Sequence, residues 1–410
     1  MRVLQFAPRV CWPLDTGARL RNYHLARELA RRTRVSLLAF SDHGQRLERS
    51  SPDLENPYER VTTVERDSAY TFAKVVRGIL GRTPLPVLNY TTDRMKRALE
   101  LILRELEFDI VQVESIHLMA YLPIILAAPN RPLAICDWHN IESELMQRYR
   151  ERQSSLLRQA YAGKTARLMS EFERRAAREF DAHVVVSERD ARRLRALNPD
   201  AKIFVVGNGV DTAYYCDAQI ENAASAQSSA SGTTRIVFVG SMDYHANIDG
   251  AVGFAREVWP RVRERRPDLV FTIVGRDPAL EVRELARIPG IEVTGTVADV
   301  RPFYREAIAA VVPLNVGGGS RLKILEAMAA GVPVVSTTLG AEGLDVWHGE
   351  SILIADTDEQ QIEAIVSVVE NAEQRERLVN CGRALVSNHY DWSQLGVLLF
   401  ESYQKLLAMR

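Results

Sequence analysis

Cysteine is scarce in this chain. Cys11, Cys136, Cys216 and Cys381 are the four in 410 residues, and no two stand in a C-x-x-C pair. That spacing argues against a zinc ribbon or a disulfide framework and fits a reducing compartment, so a cytoplasmic protein is expected. Long apolar runs are missing as well. The longest, Leu118–Ala128, falls well short of the ~20 residues of a membrane-spanning helix, and the opening MRVLQFAPRV carries too short an apolar stretch for a signal peptide. Charge of one sign is not in excess: 52 Lys and Arg face 53 Asp and Glu. No bulk field gathers nucleic acid, and none is expected as a partner. No G-x-G-x-x-G follows the first apolar run, where Gly17 stands alone, and no Walker sequence occurs. A nicotinamide dinucleotide site and a P-loop are thereby disfavoured. No metal or cofactor is expected.

What is present is an alternation. Arg2–Pro8 reads as a buried strand, Asn22–Arg32 as a helix and Val35–Phe40 as a second strand; Arg94–Leu106 follows as a helix and Phe108–Glu114 as a strand. Strands alternating with helices predict a parallel sheet covered on both faces. Residues 41–90 are polar and irregular apart from an expected helix at Ala69–Leu80, whose basic, amphipathic face leaves open a peripheral contact with an anionic membrane beside ordinary packing. Glu144–Phe180 reads as one long, charged helical region. Asp217–Thr234 is small and polar, a surface loop at a domain junction. The strand pattern then restarts at Thr234, with further strands at Phe271–Gly275, Ile291–Gly295, Ala309–Leu314, Pro333–Thr337 and Ser351–Ala355, and Leu395–Met409 closes the chain as a helix.

The most informative stretch is Pro313–Thr337, PLNVGGGSRLKILEAMAAGVPVVST. Gly317, Gly318, Gly319 and Ser320 form a turn, strong helix formers follow, and Gly331 with Pro333 ends the helix. A glycine turn entering a helix offers free N–H groups and the positive end of the dipole, a receptor for phosphate. Arg321 and Lys323 add cations in the first turn, Leu322 faces the core, and Glu326 one turn on suits a vicinal diol such as a ribose. The residues alone leave two readings open: a nucleotide-sugar site, or a surface helix with a solvated Lys–Glu pair. Leu133–Ser143 is a second candidate, a strand ending in His139 and Asn140, where ligands of doubly wound sheets gather; a helix cap is the plainer account. Glu142 and Glu144 follow as first-turn acids or as catalytic groups.

The segment from Glu326 through Ala-Met-Ala-Ala-Gly to Pro333-Val-Val resembles the donor motif of the retaining nucleotide-sugar glycosyltransferases of family 4, with the GT-B fold. The resemblance implies two Rossmann-like α/β domains whose parallel sheets face across a cleft. It places an acceptor-binding domain at 1–212, a linker at 213–234, a donor-binding domain at 235–388, and a last helix, 389–410, crossing back to the first domain. In the family the second Glu of the motif, here Glu326, holds the ribose; the first, which contacts the donor sugar, is replaced by Gly318. His139 matches a His lining the cleft beside the donor sugar, and Asn208-Gly209-Val210-Asp211 resembles a segment bordering it. The Arg and Lys that usually follow the glycine after the first strand of the second domain are absent after Gly240 and Ser241, so Arg321 and Lys323 are expected to hold the diphosphate. The implied catalytic set is His139, Arg321 and Lys323. The donor set is Gly240, Ser241, Gly317–Leu322, Lys323 and Glu326, and Gly17, Arg21, Asn140, Asn208 and Gly209 line the acceptor side. The implied activity moves a sugar from a nucleoside diphosphate sugar to a glycan or lipid-linked acceptor with retention and without a metal, in a bacterial exopolysaccharide pathway and with peripheral contact at the inner membrane. A sugar-nucleotide epimerase on the same fold and a non-catalytic nucleotide-sugar sensor are the alternatives. The donor base and sugar, the acceptor, the linkage and the oligomeric state stay open.

Overall fold

The computed structural model describes residues 1–42, 55–66, 71, 74, 77–78, 81–151, 153, 155–216, 234–316 and 321–410. The chain divides into two compact units, Met1–Gly207 with Trp392–Arg410, and Asn208–Asp391. Each is a Rossmann-like α/β domain built on a parallel sheet, as the alternation predicts. The helices used below are α1 (Gly17–Ala30), α2 (Glu142–Glu151), α3 (Leu156–Glu179), α4 (His245–Gly253), α5 (Leu322–Ala329) and α6 (Trp392–Ala408).

In the first unit the strands are β1 (Arg2–Ala7), β2 (Arg34–Ser41), β3 (Arg60–Glu65), β4 (Ile110–Glu114), β5 (Leu133–Trp138), β6 (Ala182–Val185) and β7 (Ile203–Val205), in the order β3-β2-β1-β4-β5-β6-β7. Successive side chains of a strand leave opposite faces. Leu4 and Phe6 of β1 therefore enter one core with Val111, Val113 and Trp138. Val3 and Ala7 enter the other with Val35, Ile110, Ile135 and the Leu395, Leu399 and Tyr403 face of α6. Burial on both faces is why β1 is apolar from Val3 to Ala7 apart from Gln5, itself buried against Glu114.

The second unit orders β8 (Thr234–Val239), β9 (Leu269–Val274), β10 (Ile291–Gly295), β11 (Ala307–Val312), β12 (Val334–Ser336) and β13 (Leu353–Ile354) as β10-β9-β8-β11-β12-β13. Chain direction across the sheet reverses between β8 and β11, which opens a crevice at their carboxyl ends. Helix α5 hangs from that edge by Leu322, Leu325 and Met328. It ends at Gly331, where φ is 75° and the Val332 N–H returns to Ala327 O at 2.8 Å; the left-handed turn suits glycine. A Cβ there would lie 1.5 Å from the Arg383 guanidinium.

The division at Gly207 and Asp391, a few residues from the expected 212 and 388, has a local cause. The Val210 N–H donates to Tyr390 O at 2.8 Å, and the Thr212 N–H donates to the Asp391 carboxylate at 3.2 Å. Residues 208–212 therefore travel with the second unit. Strand β3 was hidden in the stretch read as irregular: it is an edge strand with Arg60 and Glu65 at its ends, the charged rim that edges carry. The expected helix at 69–80, apart from Thr71, Lys74, Arg77 and Gly78, and the expected loop at 217–233 lie outside the described residues. The single charged helix expected at 144–180 is two, α2 and α3. Among the described residues no helix is long and apolar enough to cross a membrane.

Candidate functional site

The β8–β11 crevice of the second unit brings together four of the expected donor residues, Gly240, Ser241, Lys323 and Glu326. Gly240 follows β8. A Cβ on it would stand 2.8 Å from Asn247 Nδ2 and 3.0 Å from Lys323 Nζ, so glycine is what lets α4 and α5 close on that turn. Asn247 of α4 donates through Nδ2 to Ser241 O at 2.8 Å and accepts from Lys323 Nζ at 2.6 Å. The ammonium also lies 4.6 Å from the centre of the Phe238 ring. Burial pushes Lys323 down to about 7, against the pull of Glu326 and with help from Arg321. Ser241 Oγ donates to Asp243 at 2.6 Å and accepts from Arg276 Nε at 2.9 Å. Arg276, from the turn after β9, is thus the cation beside the Gly240–Ser241 turn that the local sequence lacks.

Glu326 faces two tyrosines. The Tyr215 and Tyr304 hydroxyls hold the pKa of its carboxylate down, their rings 6.1 Å apart and edge-on, and the Tyr304 hydroxyl donates to Lys323 O at 3.4 Å. Burial raises Glu326 to about 6, with Lys323 and the two hydroxyls opposing. Tyr215 and Tyr304 are nearly fully buried, so the carboxylate is held from behind. Arg301 stacks over Tyr214 at 3.9 Å and pairs with Asp299 at 2.8 Å. Arg321 lies just ahead of α5 and is 6% exposed. Its guanidinium donates to Leu339 O at 2.7 Å and stands 3.7 Å from the Glu342 carboxylate, directed into the 339–342 turn. Gly317, Gly318, Gly319 and Ser320, the expected phosphate turn, lie outside the described residues. The acidic triplet Asp356-Thr357-Asp358 is used locally: Thr357 caps the helix Asp358–Glu370, and Asp356 accepts from the Thr338 N–H at 2.7 Å.

In the first unit the strand ends converge on a buried charge network. His139 Nε2 lies 2.9 Å from Glu114 Oε2. Gln5 and Gln112 each donate an amide to Glu114 Oε1 at 2.7 Å. Arg21 grips Asp137 at 3.0 and 3.2 Å and donates to Gly207 O at 2.7 Å. Tyr403 of α6 donates to Gln112 Oε1 at 2.5 Å, and Tyr58 to Gln5 Oε1 at 2.7 Å. Burial disfavours the charge on His139, but the Glu114 bond and the Asp137 charge outweigh it, so its pKa is raised. Glu114, Asp137 and His139 present ligand atoms within 4.8 Å of one another. A cation would have to displace Arg21 from Asp137 and the amides from Glu114, so the trio fits an ion-pair network better than a metal centre.

Arg21 corrects an expectation. It was placed on the acceptor side, yet it is 1% exposed with its guanidinium committed to Asp137 and Gly207 O, so it ties β5 and the end of the first unit to α1. Gly17 opens α1, whose cap is Thr16. Asn140 sits half-buried beside His139. Asn208 and Gly209 belong to the second unit. Sequence reasoning missed His117. Its Nε2 is 3.8 Å from Glu142, and its ring stacks on Tyr90 at 5.9 Å. Burial drives His117 down to about 4 and Glu142 up to about 7. An acid two residues after Asn140 was the available signal for Glu142; nothing local marks His117.

Residues 16–214 match the sequence model described as Glycosyltransferase Family 4, and residues 233–371 the one described as Glycosyl transferases group 1. The Mycobacterium tuberculosis phosphatidyl-myo-inositol mannosyltransferase is 29% identical over 52% of this chain and 56% of its own length. An uncharacterised 44.6 kDa Klebsiella pneumoniae protein in the cps region is 24% identical over 40% of this chain and 45% of its own. The chain thus spans about half the length of these curated relatives. The crystal structure of Anabaena HepE with UDP and glucose superposes with a TM-score of 0.64 at 16% identity, covering 98% of this chain and 99% of that one, a likeness of fold. With a matching model over each half and two Rossmann-like units beneath them, the chain belongs to the family 4, group 1 glycosyltransferases of the GT-B fold.

Proposed function

We propose that the protein moves a hexosyl group from a nucleoside diphosphate sugar to a hydroxyl of a glycan or lipid-linked acceptor, with retention of configuration. The observation that carries this is the grouping of Lys323, Asn247, the Gly240–Ser241 turn, Arg276 and Glu326 at one crevice. Lys323 and Arg276 meet the diphosphate, and Glu326, oriented by Tyr215 and Tyr304, accepts from the ribose hydroxyls. Arg321 acts from behind, bracing the 339–342 turn and adding positive potential. As the bond from the anomeric carbon to the diphosphate oxygen breaks, the charge on the leaving group is met by cations and helix N–H groups already in place. The acceptor oxygen then bonds to that carbon, and its proton passes to the departing phosphate. No metal is required, because fixed cations carry the charge. His139, paired with Glu114 in the first unit, is assigned to the donor sugar on the family resemblance alone.

The neighbour crystallised with UDP makes uracil the first base to try. The Klebsiella relative from a cps region points to surface-polysaccharide assembly at the inner face of the membrane. A thermal-shift screen of nucleoside diphosphates and their sugars, followed by acceptor-dependent release of the diphosphate in EDTA, tests the proposal. A rise in Tm with one base, lost in Glu326→Ala, is expected. A flat response to every nucleotide refutes the site; release without acceptor redirects the assignment to an epimerase or hydrolase; loss of turnover in EDTA refutes the metal-free chemistry.

A further inference from the structure

Two mostly buried side chains near His139 take no part in the chemistry above. His117 stands in the short helical turn Ile116–Tyr121, directly after β4, and Glu142 is the first residue of α2. His117 Nε2 is buried without a hydrogen-bond partner among the described residues and lies 3.8 Å from the Glu142 carboxylate. That gap is too long for a hydrogen bond. Glu142 receives no hydrogen bond from a described residue either, and 17% of its side chain stays open to solvent. The pair is nonetheless held in place. Ser115 takes φ 90°, which a serine rarely adopts, and its Oγ accepts from the His117 N–H at 3.3 Å. The His117 ring is stacked within 10° of parallel on Tyr90, whose carbonyl accepts from the Tyr121 hydroxyl at 2.6 Å. Ser143 donates its N–H, at 2.8 Å, and its hydroxyl to Glu173 of α3, which fixes the first turn of α2. Strain at Ser115 and a desolvated acid without a donor both cost stability, which points to a ligand rather than to the fold.

We propose that Glu142, steadied by His117, is an acceptor subsite whose carboxylate receives a hydrogen bond from a hydroxyl of an uncharged sugar. The inference rests on the transferase reading and names the class of acceptor. The charges near the pair favour a neutral group. Its cations are already engaged: His139 with Glu114 at 2.9 Å, Arg21 with Asp137 at 3.0 Å, and Arg66, 5.6 Å from the centre of the Tyr90 ring, with Asp42 at 2.9 Å. A phosphate or carboxylate on the acceptor meets the charges of Glu142 and Glu173, whereas a sugar hydroxyl brings the donor that Glu142 lacks.

Saturation-transfer NMR titration of the full chain with octyl glucoside, octyl galactoside and octyl mannoside, each below its micellar concentration, against octyl phosphate, tests it. One glycoside or more is expected to bind, and octyl phosphate to bind about tenfold more weakly or not at all. Glu142→Ala should weaken the bound glycoside about tenfold or more, Glu142→Gln less, and His117→Phe, which keeps a ring on Tyr90, less again. Burial pushes Glu142 up to about 7, so above that pH its charge opposes folding. The Tm of Glu142→Gln at about pH 8 should therefore hold or rise, where a merely structural acid would lower it on removal. Silence from all three glycosides, equal binding of octyl phosphate, undiminished glycoside binding in both Glu142 variants, or a lower Tm in Glu142→Gln would each overturn the proposal. UDP binding, measured in parallel, separates the two ideas. Glycoside binding that depends on Glu142 in a protein that binds no nucleotide leaves the subsite and removes the transferase; nucleotide binding with glycoside binding indifferent to Glu142 does the reverse.

Discussion

Lys323→Met is the perturbation that bears most directly on the site. The ammonium lies 2.6 Å from Asn247 Oδ1 and 4.6 Å from the Phe238 ring centre, and burial brings it down to about 7. Near neutral pH the free protein therefore carries roughly half a charge there. A bound diphosphate favours the ammonium, raises its pKa and draws in the missing proton. The sign follows from that direction. Affinity for UDP is highest below pH 7 as far as this group is concerned, and falls above it by up to about tenfold, or about 1.4 kcal/mol, per pH unit until the pKa of the complex is passed. Met keeps the length of the side chain and removes the charge. It should abolish the alkaline slope and a charge-assisted contact of about 1.5–3 kcal/mol, ten- to a hundredfold in Kd. Isothermal titration between about pH 7 and about pH 9 stays clear of the terminal phosphate's own ionisation near 6. Equal affinity of the wild type at the two ends of that range, or a Met variant that keeps the slope, refutes the reasoning.

Tyr304→Phe and Tyr215→Phe each remove a donor that holds Glu326 below where burial alone would put it. The Glu326 pKa should rise further above about 6, and the acid limb of UDP binding should move to higher pH relative to the wild type, an effect that loss of packing alone would not produce. Arg21→Ala strands Asp137, which is fully buried, without its guanidinium; urea denaturation should show a loss of about 3–5 kcal/mol, and a variant of unchanged stability would return Arg21 to the acceptor side.

Helix α5 and its stop were legible because they are local. Leu322, Leu325 and Met328 recur at helical spacing, and Gly331 with Pro333 can do little other than end the turn. The alternation behind both sheets was legible for the same reason: a strand buried on both faces is mostly apolar, as β1 is apart from Gln5 and β5 apart from Asp137. Edge strand β3 was not, since its RVTTVE is only half-buried, polar at Thr62 and Thr63 and rimmed by Arg60 and Glu65. Arg276 could not be found beside Ser241, because 35 residues separate two groups that only the pairing of β8 with β9 brings together.

By itself, then, the sequence determined the class of fold, the place of helix α5 and the identity of its charged groups, all of them properties of neighbouring residues. Tertiary structure alone decided which charges are spent and which are left to act. It buried Arg21 against Asp137, turned Arg321 toward Leu339 O, set Tyr215 and Tyr304 behind Glu326, and drew Lys323 out of water. Those outcomes depend on desolvation and on partners far away along the chain, and neither is a property of a residue until the sheet has formed.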